Sequence, residues 1–168
     1  MHVMVATDGT LDATKAADFA ARLAGETGRV TVYSVVEVPR QLLNDLRSAA
    51  APPTDKAGGD VQYRRTQADD APAGSWVGDD AFVGNYVKRI VATRTASLVE
   101  ALEAAGVDVE VVGAEGESAS RSVLEAARTH TPDVLCVGTH GVGRFEELLG
   151  SLSTKIARIA PCPVLLIR

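Results

Sequence analysis

Aromatic residues and cysteines are scarce in this chain of 168 residues, and each scarcity narrows the choice of function. Apolar residues make up 46% of the sequence but aromatic residues only 4%, so Ala, Val, Leu and Ile must form most of the core. Because flavin sites usually stack the ring on aromatic side chains, this shortage disfavours a flavodoxin-like electron carrier. Cys136 and Cys162 lie in or beside apolar segments, and they predict buried free thiols rather than a disulfide framework or a metal site.

An excess of positive charge and long apolar runs are also missing. Lys and Arg number 17 against 22 Asp and Glu, which gives a net charge of −5. Phosphate groups would be repelled by this charge, so we expect no nucleic-acid partner and no anionic membrane surface. The longest apolar runs have the length of strands, which predicts no membrane-spanning helix. The first residues lack the basic region and cleavage site of a signal peptide, and the sequence therefore predicts a cytoplasmic protein.

Short apolar segments alternate with helical repeats along the chain. Five strands are predicted at residues 3–7, 29–36, 107–112, 134–137 and 163–167, and the helices between them at 13–24, 85–105, 119–131 and 152–160. The order predicts an α/β fold: a five-stranded, parallel, doubly wound sheet with helices on both faces, a flavodoxin-like three-layer sandwich. The length fits a single domain spanning residues 1–168.

Residues 38–84 differ in character from the rest of the chain. The segment is rich in Pro and Gly and shows no sustained period, and it contains Trp76, the only tryptophan. A connection this long inside a compact domain predicts a variable insertion. We interpret it as a surface insertion whose aromatic side chains pack on the body; the alternative is a lid over a ligand.

A glycine-spaced segment follows the fourth predicted strand and opens the last helix. It has Gly138 and Gly141, then eight residues, then Gly150 and Ser151. Glycines let a backbone approach an anion, and a helix N-terminus offers N–H groups and partial positive charge to phosphate oxygens. The spacing matches neither the Walker A pattern nor the dinucleotide-binding fingerprint. The alternative is a glycine-rich connection that holds no ligand.

Several polar residues come directly after predicted strands. Asp8 follows the first strand, Glu37 the second and Gly138 the fourth, so the topology directs all three to one crevice. Asp8 is predicted to contact a ligand, with a turn or helix-capping aspartate as the alternative. Ser151 would donate to a phosphate and also cap the helix that it starts, and Ser118 would cap the preceding helix.

At these positions the chain resembles the universal stress protein family, and the resemblance extends over nearly the whole chain except the insertion. Four segments carry it. They are VATDGT at residues 5–10, SVVE at 34–37, the glycine-spaced segment at 138–151, and PCPVLLI at 161–167. Each segment is weakly specific by itself, but the four in this order are specific for the family.

The resemblance implies an adenine nucleotide alpha hydrolase-like fold and a site for ATP with Mg²⁺. It places Thr7 and Asp8 at the nucleotide, with Asp8 and the backbone of Val35 meeting the adenine. Val137 and Gly138 would lie beside adenine and ribose, and the phosphates would be held by Gly141, Gly150, Ser151, Leu152 and Ser153. It also implies a homodimer formed through the last strand, Val164–Ile167.

One departure from the family pattern leaves the function open. The chain has eight residues between Gly141 and Gly150, one fewer than the family. If residues 142–145 absorb the gap, the N–H groups of Ser151 and Leu152 still face the anion. The first reading is an ATP-dependent regulatory protein of the stress response. A nucleotide-free dimeric module and a slow ATP hydrolase are the alternatives, although no general base or arginine finger is evident and no catalytic residue is predicted.

Overall fold

The computed structural model describes residues 1–37, 77–139 and 150–168. For residues 77–83 it describes the backbone only. The chain divides into two compact units, Met1–Glu37 with Val87–Arg168, and Val38–Tyr86. The first unit carries the sheet. One domain with an insertion at 38–84 stays a prediction, and the proposed surface or lid role falls on residues that are not described. No helix in the described ranges is long and apolar enough to cross a membrane.

Five parallel strands form one sheet in the order β3-β2-β1-β4-β5, which confirms the predicted α/β doubly wound fold. The described residues also contain four helices. In chain order the elements are β1 His2–Ala6, α1 Ala13–Ala24, β2 Arg29–Val36, α2 Val77–Ala104, β3 Asp108–Glu115, α3 Ala119–His130, β4 Val134–Gly138, α4 Ser151–Ile159 and β5 Val164–Ile167.

Side chains alternate along the strands and so build a separate apolar core on each face of the sheet. Val30 and Val32 of β2 point to the core shared with α1 and α2, where Leu98 and Leu102 are buried. The opposite face packs against α3 and α4. That core includes Met4, Tyr33, Val35, Val123, Leu124, Leu135, Val137 and Ile156.

Both cysteines are free thiols, as predicted, but only Cys136 is fully buried. Burial, and secondarily the charge of Cys162, raises the pKa of the Cys136 thiol to about 12. Since the thiolate is the reactive form, Cys136 is an inert core residue. Cys162 is half-buried at the amino end of β5, and burial raises its pKa as well.

The second helix begins earlier than the sequence predicted. We expected it near Asn85, whereas α2 starts at Val77. Gly78 and Gly84 favoured a loop in the sequence, but a glycine costs a helix only about 1 kcal/mol and does not forbid it.

The third strand is longer than the predicted 107–112, because residues 113–115 continue β3 and do not form a turn. Gly113 pairs with Ser34 of β2. A Cβ built at Gly113 would lie 2.7 Å from Cγ2 of Val91, which is closer than real contacts. Gly113 therefore allows α2 to approach the sheet closely. In the sequence alone, a glycine needed for such packing cannot be told from a glycine that marks a turn.

The first prediction concerns this close approach. Gly113→Ala should lower the free energy of unfolding by about 1–3 kcal/mol, because the new methyl group must displace Val91. Urea denaturation measures the loss. Combined with Val91→Ala, the substitution should cost less than the sum of the two single changes. An unchanged midpoint in the Gly113→Ala variant would contradict this account.

The amino end of the sheet is held by contacts of His2. Its ring Nε2 lies 2.8 Å from Oγ1 of Thr31, and Nη2 of Arg29 lies 3.5 Å from Nδ1. The backbone N–H of His2 donates to Asp133 Oδ2 at 2.7 Å. Burial, followed by the positive charges of Arg29 and His130, lowers the pKa of His2 below 6.5, although Asp133 opposes the shift.

The second prediction follows from the direction of this shift. Between the lowered pKa and 6.5 the unfolded chain binds more protons than the folded one, so stability increases with pH. The contribution of neutral His2 should be present above pH 6.5 and lost progressively as the pH falls below it. His2→Gln does not titrate there. The difference in unfolding free energy between wild type and His2→Gln should therefore change between pH 7.5 and pH 5, and a constant difference would refute the assignment.

Candidate functional site

A cleft opens at the carboxyl edge of the sheet, where the strand order reverses between β1 and β4. Open α/β sheets bind ligands at this position. The cleft has a volume of about 150 Å³. Its walls come from the ends of β1, β2 and β4 and from the first turns of α3 and α4; they consist of Ala6, Thr7, Asp8, Thr10, Leu11, Tyr33, Val35, Ala119, Val123, Val137, Gly138, Gly150, Ser151, Leu152 and Ser153.

The segment after β1 forms a tight polar turn at the mouth of the cleft. Oγ1 of Thr7 accepts from the N–H of Gly9 at 3.0 Å. Oδ1 of Asp8 accepts from both the N–H and the hydroxyl of Thr10, at 3.0 and 2.6 Å. Helix α1 is capped by Asp12, not by Asp8. Asp8 therefore stabilises the turn through one oxygen, and no described residue donates to its second oxygen.

An arginine of α2 reaches the same edge of the sheet. Nη1 of Arg94 donates to the backbone carbonyl of Val35 at 2.8 Å. Gly9 has a φ of +92°, and a Cβ there would lie 3.2 Å from Cγ of Arg94. Glycine is thus required at position 9 both by the backbone conformation and by the arginine stem.

Helix α3 starts beside the cleft with its N-terminus already occupied by a carboxylate. Oε1 of Glu37 accepts from the N–H of Ala119 at 3.1 Å. Ser118 is the N-cap residue, but its hydroxyl makes no capping bond and lies 3.2 Å from the hydroxyl of Ser120. The predicted capping by Ser118 is therefore wrong. The carboxylate that follows β2 replaces it and also complements the positive end of the helix.

Helix α4 differs, because its N-terminus opens on the cleft and its N-cap residue has no side chain to cap it. Its N-cap residue is Gly150, and Ser151 is the first helical residue, so the predicted capping by Ser151 is wrong. The first turn contains no acidic residue. The N–H of Gly150 donates to the carbonyl of Thr139 at 3.1 Å, which places the helix start next to the end of β4. Ser151 and Leu152 are exposed at this start. Their N–H groups belong to the first turn, whose donors have no intrahelical acceptor.

Ser153 fixes this helix to the sheet. Its hydroxyl donates to the carbonyl of Gly138 at 2.5 Å, and the side chain is only 3% exposed. The hydroxyl proton is therefore used within the protein. Donation from Ser153 to a phosphate would have to come from its backbone N–H, because the hydroxyl has no second proton.

The structure brings together nine of the ten residues predicted for the site. All nine line the cleft, namely Thr7, Asp8, Val35, Val137, Gly138, Gly150, Ser151, Leu152 and Ser153. Gly141 falls outside the described residues. No group of three or more His, Cys, Asp or Glu side chains suited to a metal ion occurs in the part of the chain that is described.

Tyr33 is the main site residue that the sequence reading missed. Its ring lines the cleft, and its hydroxyl donates to the carbonyl of Ser122 at 3.3 Å. Burial, and secondarily the charge of Glu125, raises the pKa of its phenol. In the sequence Tyr33 looks like any residue of an apolar strand. Because strand side chains alternate between the two faces, its spacing of two from Val35 indicated that both side chains point to the same face.

The fold is that of an open α/β domain with a cleft at its switch point, and the sequence comparisons identify the family. The model of the universal stress protein family matches residues 1–168. The chain belongs to the universal stress protein family. A curated relative, universal stress protein YxiE of Bacillus subtilis (strain 168), is 36% identical over 64 residues. That match covers 38% of this chain and spans 43% of the relative's length.

Solved structures of the family have the same fold. A universal stress protein from Archaeoglobus fulgidus in complex with dAMP is 17% identical, with a TM-score of 0.52 over 100% of this chain and 98% of the other. A family member from Arabidopsis thaliana with AMP bound is 14% identical, with a TM-score of 0.56 over 99% and 90%. At these identities the likeness establishes the shared fold.

The third prediction separates the two serines of the α4 start. Ser153→Ala should lower the free energy of unfolding by about 1–3 kcal/mol, because it removes a buried hydrogen bond to Gly138. Ser151→Ala removes an exposed hydroxyl from the same turn and should change it by less than about 0.5 kcal/mol. Thermal and urea denaturation of both variants measure the contrast. Equal losses would show that the Ser153 hydroxyl does not anchor the helix.

Proposed function

We propose that this protein binds an adenine nucleotide in the cleft at the switch point. The base would lie toward Asp8 and Val35, and the phosphates would lie at the start of α4. The observation that carries the proposal is the uncapped N-terminus of α4. Its first-turn N–H groups and partial positive charge face a cleft, whereas Glu37 occupies the corresponding end of α3.

Two further observations support the proposal. Family members from Archaeoglobus fulgidus and Arabidopsis thaliana that share the fold were solved with dAMP and with AMP. The cleft also combines apolar walls, such as Val137 and Val123, with a few polar groups at its mouth, and this composition is typical of small-ligand sites.

The finer proposal is that the physiological ligand is ATP with Mg²⁺. The phosphates would supply most of the metal ligands, since Mg²⁺ is commonly held by substrate phosphates and one or two carboxylates. Asp8 is the exposed carboxylate on the wall of the cleft. We propose that the protein is cytoplasmic and acts in the stress response by population shift: bound nucleotide favours one conformation of the residues around the phosphates, and a partner recognises that conformation.

We also propose a homodimer formed through β5. This strand is at one edge of the sheet, and Val164, Leu165 and Leu166 are half-buried. An apolar edge strand exposes unpaired backbone groups to other chains, so pairing with a second copy would protect it.

The fourth prediction tests the backbone donors of α4. Ser151 is the first helical residue, where proline is well tolerated, and Gly150 has φ −56° and ψ 151°, which suits a residue before proline. Ser151→Pro therefore removes one N–H donor without breaking the helix. It should weaken the binding of AMP and of ATP with Mg²⁺ about tenfold, the factor expected for a hydrogen bond to a charged group. Isothermal titration calorimetry measures the affinities.

Ser151→Ala is the matched control, because both variants lose the hydroxyl and only one loses the N–H. Its affinity should exceed that of Ser151→Pro by about tenfold, because only the proline variant lacks the N–H. If the two variants bind equally well, the N–H of Ser151 does not contact the ligand. If the wild type binds no adenine nucleotide at millimolar concentration, the proposal fails and a nucleotide-free module remains.

A further inference from the structure

The backbone of β2 extends beyond the end of its neighbour β1 at the edge of the cleft. The carbonyl of Tyr33 accepts from the N–H of Thr7 at 2.9 Å, directly after β1 ends at Ala6. In a parallel ladder every second residue directs its N–H and carbonyl to the same neighbouring strand. The carbonyl of Val35 therefore points to the same side as that of Tyr33, at a level where β1 no longer offers a partner.

Arg94 occupies this vacant position. Its Nη1 donates to the Val35 carbonyl at 2.8 Å, and its stem passes the turn at Gly9. The guanidinium has further N–H groups and no acceptor atom. No described residue other than Val35 accepts a hydrogen bond from it. Val35 lines the cleft and Arg94 does not, so the edge of β2 carries a cationic donor directly behind the backbone acceptor that a ligand would meet.

This arrangement affects which purine base can bind with its C6 group toward the Val35 carbonyl. A 6-amino purine presents an N–H₂ donor at C6, whereas a 6-oxo purine presents an acceptor there. The amino group would have to share the Val35 carbonyl with a guanidinium of like polarity, or displace it. The oxo group would accept from the guanidinium, and charge-assisted bonds of this kind are stronger than neutral ones.

We propose that Arg94 determines the base preference of the cleft, by filling the Val35 carbonyl and so admitting 6-oxo purine nucleotides alongside adenine nucleotides. The proposal rests on the proposed function, since it requires a purine nucleotide with its base toward Val35. It assigns a specificity-determining residue on α2, outside the four segments that carry the family resemblance.

The fifth prediction is tested with AMP and inosine monophosphate, which differ in the group at C6. Arg94→Met keeps an unbranched stem beside Gly9 but removes the guanidinium. Removing a cation weakens the binding of both phosphates alike, so the ratio of the two dissociation constants isolates the base edge. The wild type should bind the two nucleotides within about fivefold of each other. Arg94→Met should shift the ratio toward AMP by about fivefold, the factor that one net hydrogen bond supplies.

Arg89→Met is the control, because Arg89 lies exposed on the same helix and its loss changes the net charge equally. Its ratio should equal that of the wild type. The inference is overturned if Arg94→Met leaves the ratio unchanged, if Arg89→Met shifts it equally, or if the wild type prefers AMP by far more than fivefold. The last result needs no variant. In each of these cases nucleotide binding itself still stands, whereas absence of binding by either nucleotide rejects the proposed function too.

Discussion

The whole site depends on one topological constraint: β1 and β4 are neighbours in the sheet, but the chain leaves them toward opposite faces. Helix α1 packs on one core and α4 on the other. Because the two connections leave in opposite directions, parallel order leaves a cleft between the two strand ends at this edge. The same constraint brings the start of α4 to the end of β4, where the Ser153 hydroxyl bonds to the Gly138 carbonyl.

The helix starts differ in whether a carboxylate accepts from their first N–H groups, and this difference determines what the cleft can bind. Asp12 accepts from the N–H of Lys15 at the start of α1, and Glu37 accepts from the N–H of Ala119 at the start of α3, so a carboxylate already lies at each of these helix starts. Helix α4 begins at a glycine, which has no side chain to cap it, and its first turn contains no acidic residue. Across the cleft, Arg94 takes the Val35 carbonyl. The start of α4 therefore offers backbone donors to the cleft, as an anionic ligand requires.

The sequence was sufficient for the fold because valine-rich strands and alanine-rich helix faces are local periodic patterns. It was also sufficient to bring most of the site together, because residues that follow parallel strands must meet at one edge. It could not predict contacts made between distant segments. The Glu37 cap joins residues 82 positions apart and the Arg94 bond residues 59 apart, and neither leaves a local pattern. Gly113 shows the converse error, since a glycine needed for helix packing looked like a turn.

The most direct test of the account is an amide-resolved NMR titration of the ¹⁵N-labelled protein with AMP. If the start of α4 holds the phosphates, the amide resonances of Ser151 and Leu152 should shift saturably, together with those of residues 7–10 across the cleft. Amides on the opposite edge of the sheet, such as Val111, should stay unchanged. Saturable shifts that leave both Ser151 and Leu152 unaffected would contradict the account, because the ligand would then bind somewhere other than the uncapped helix start.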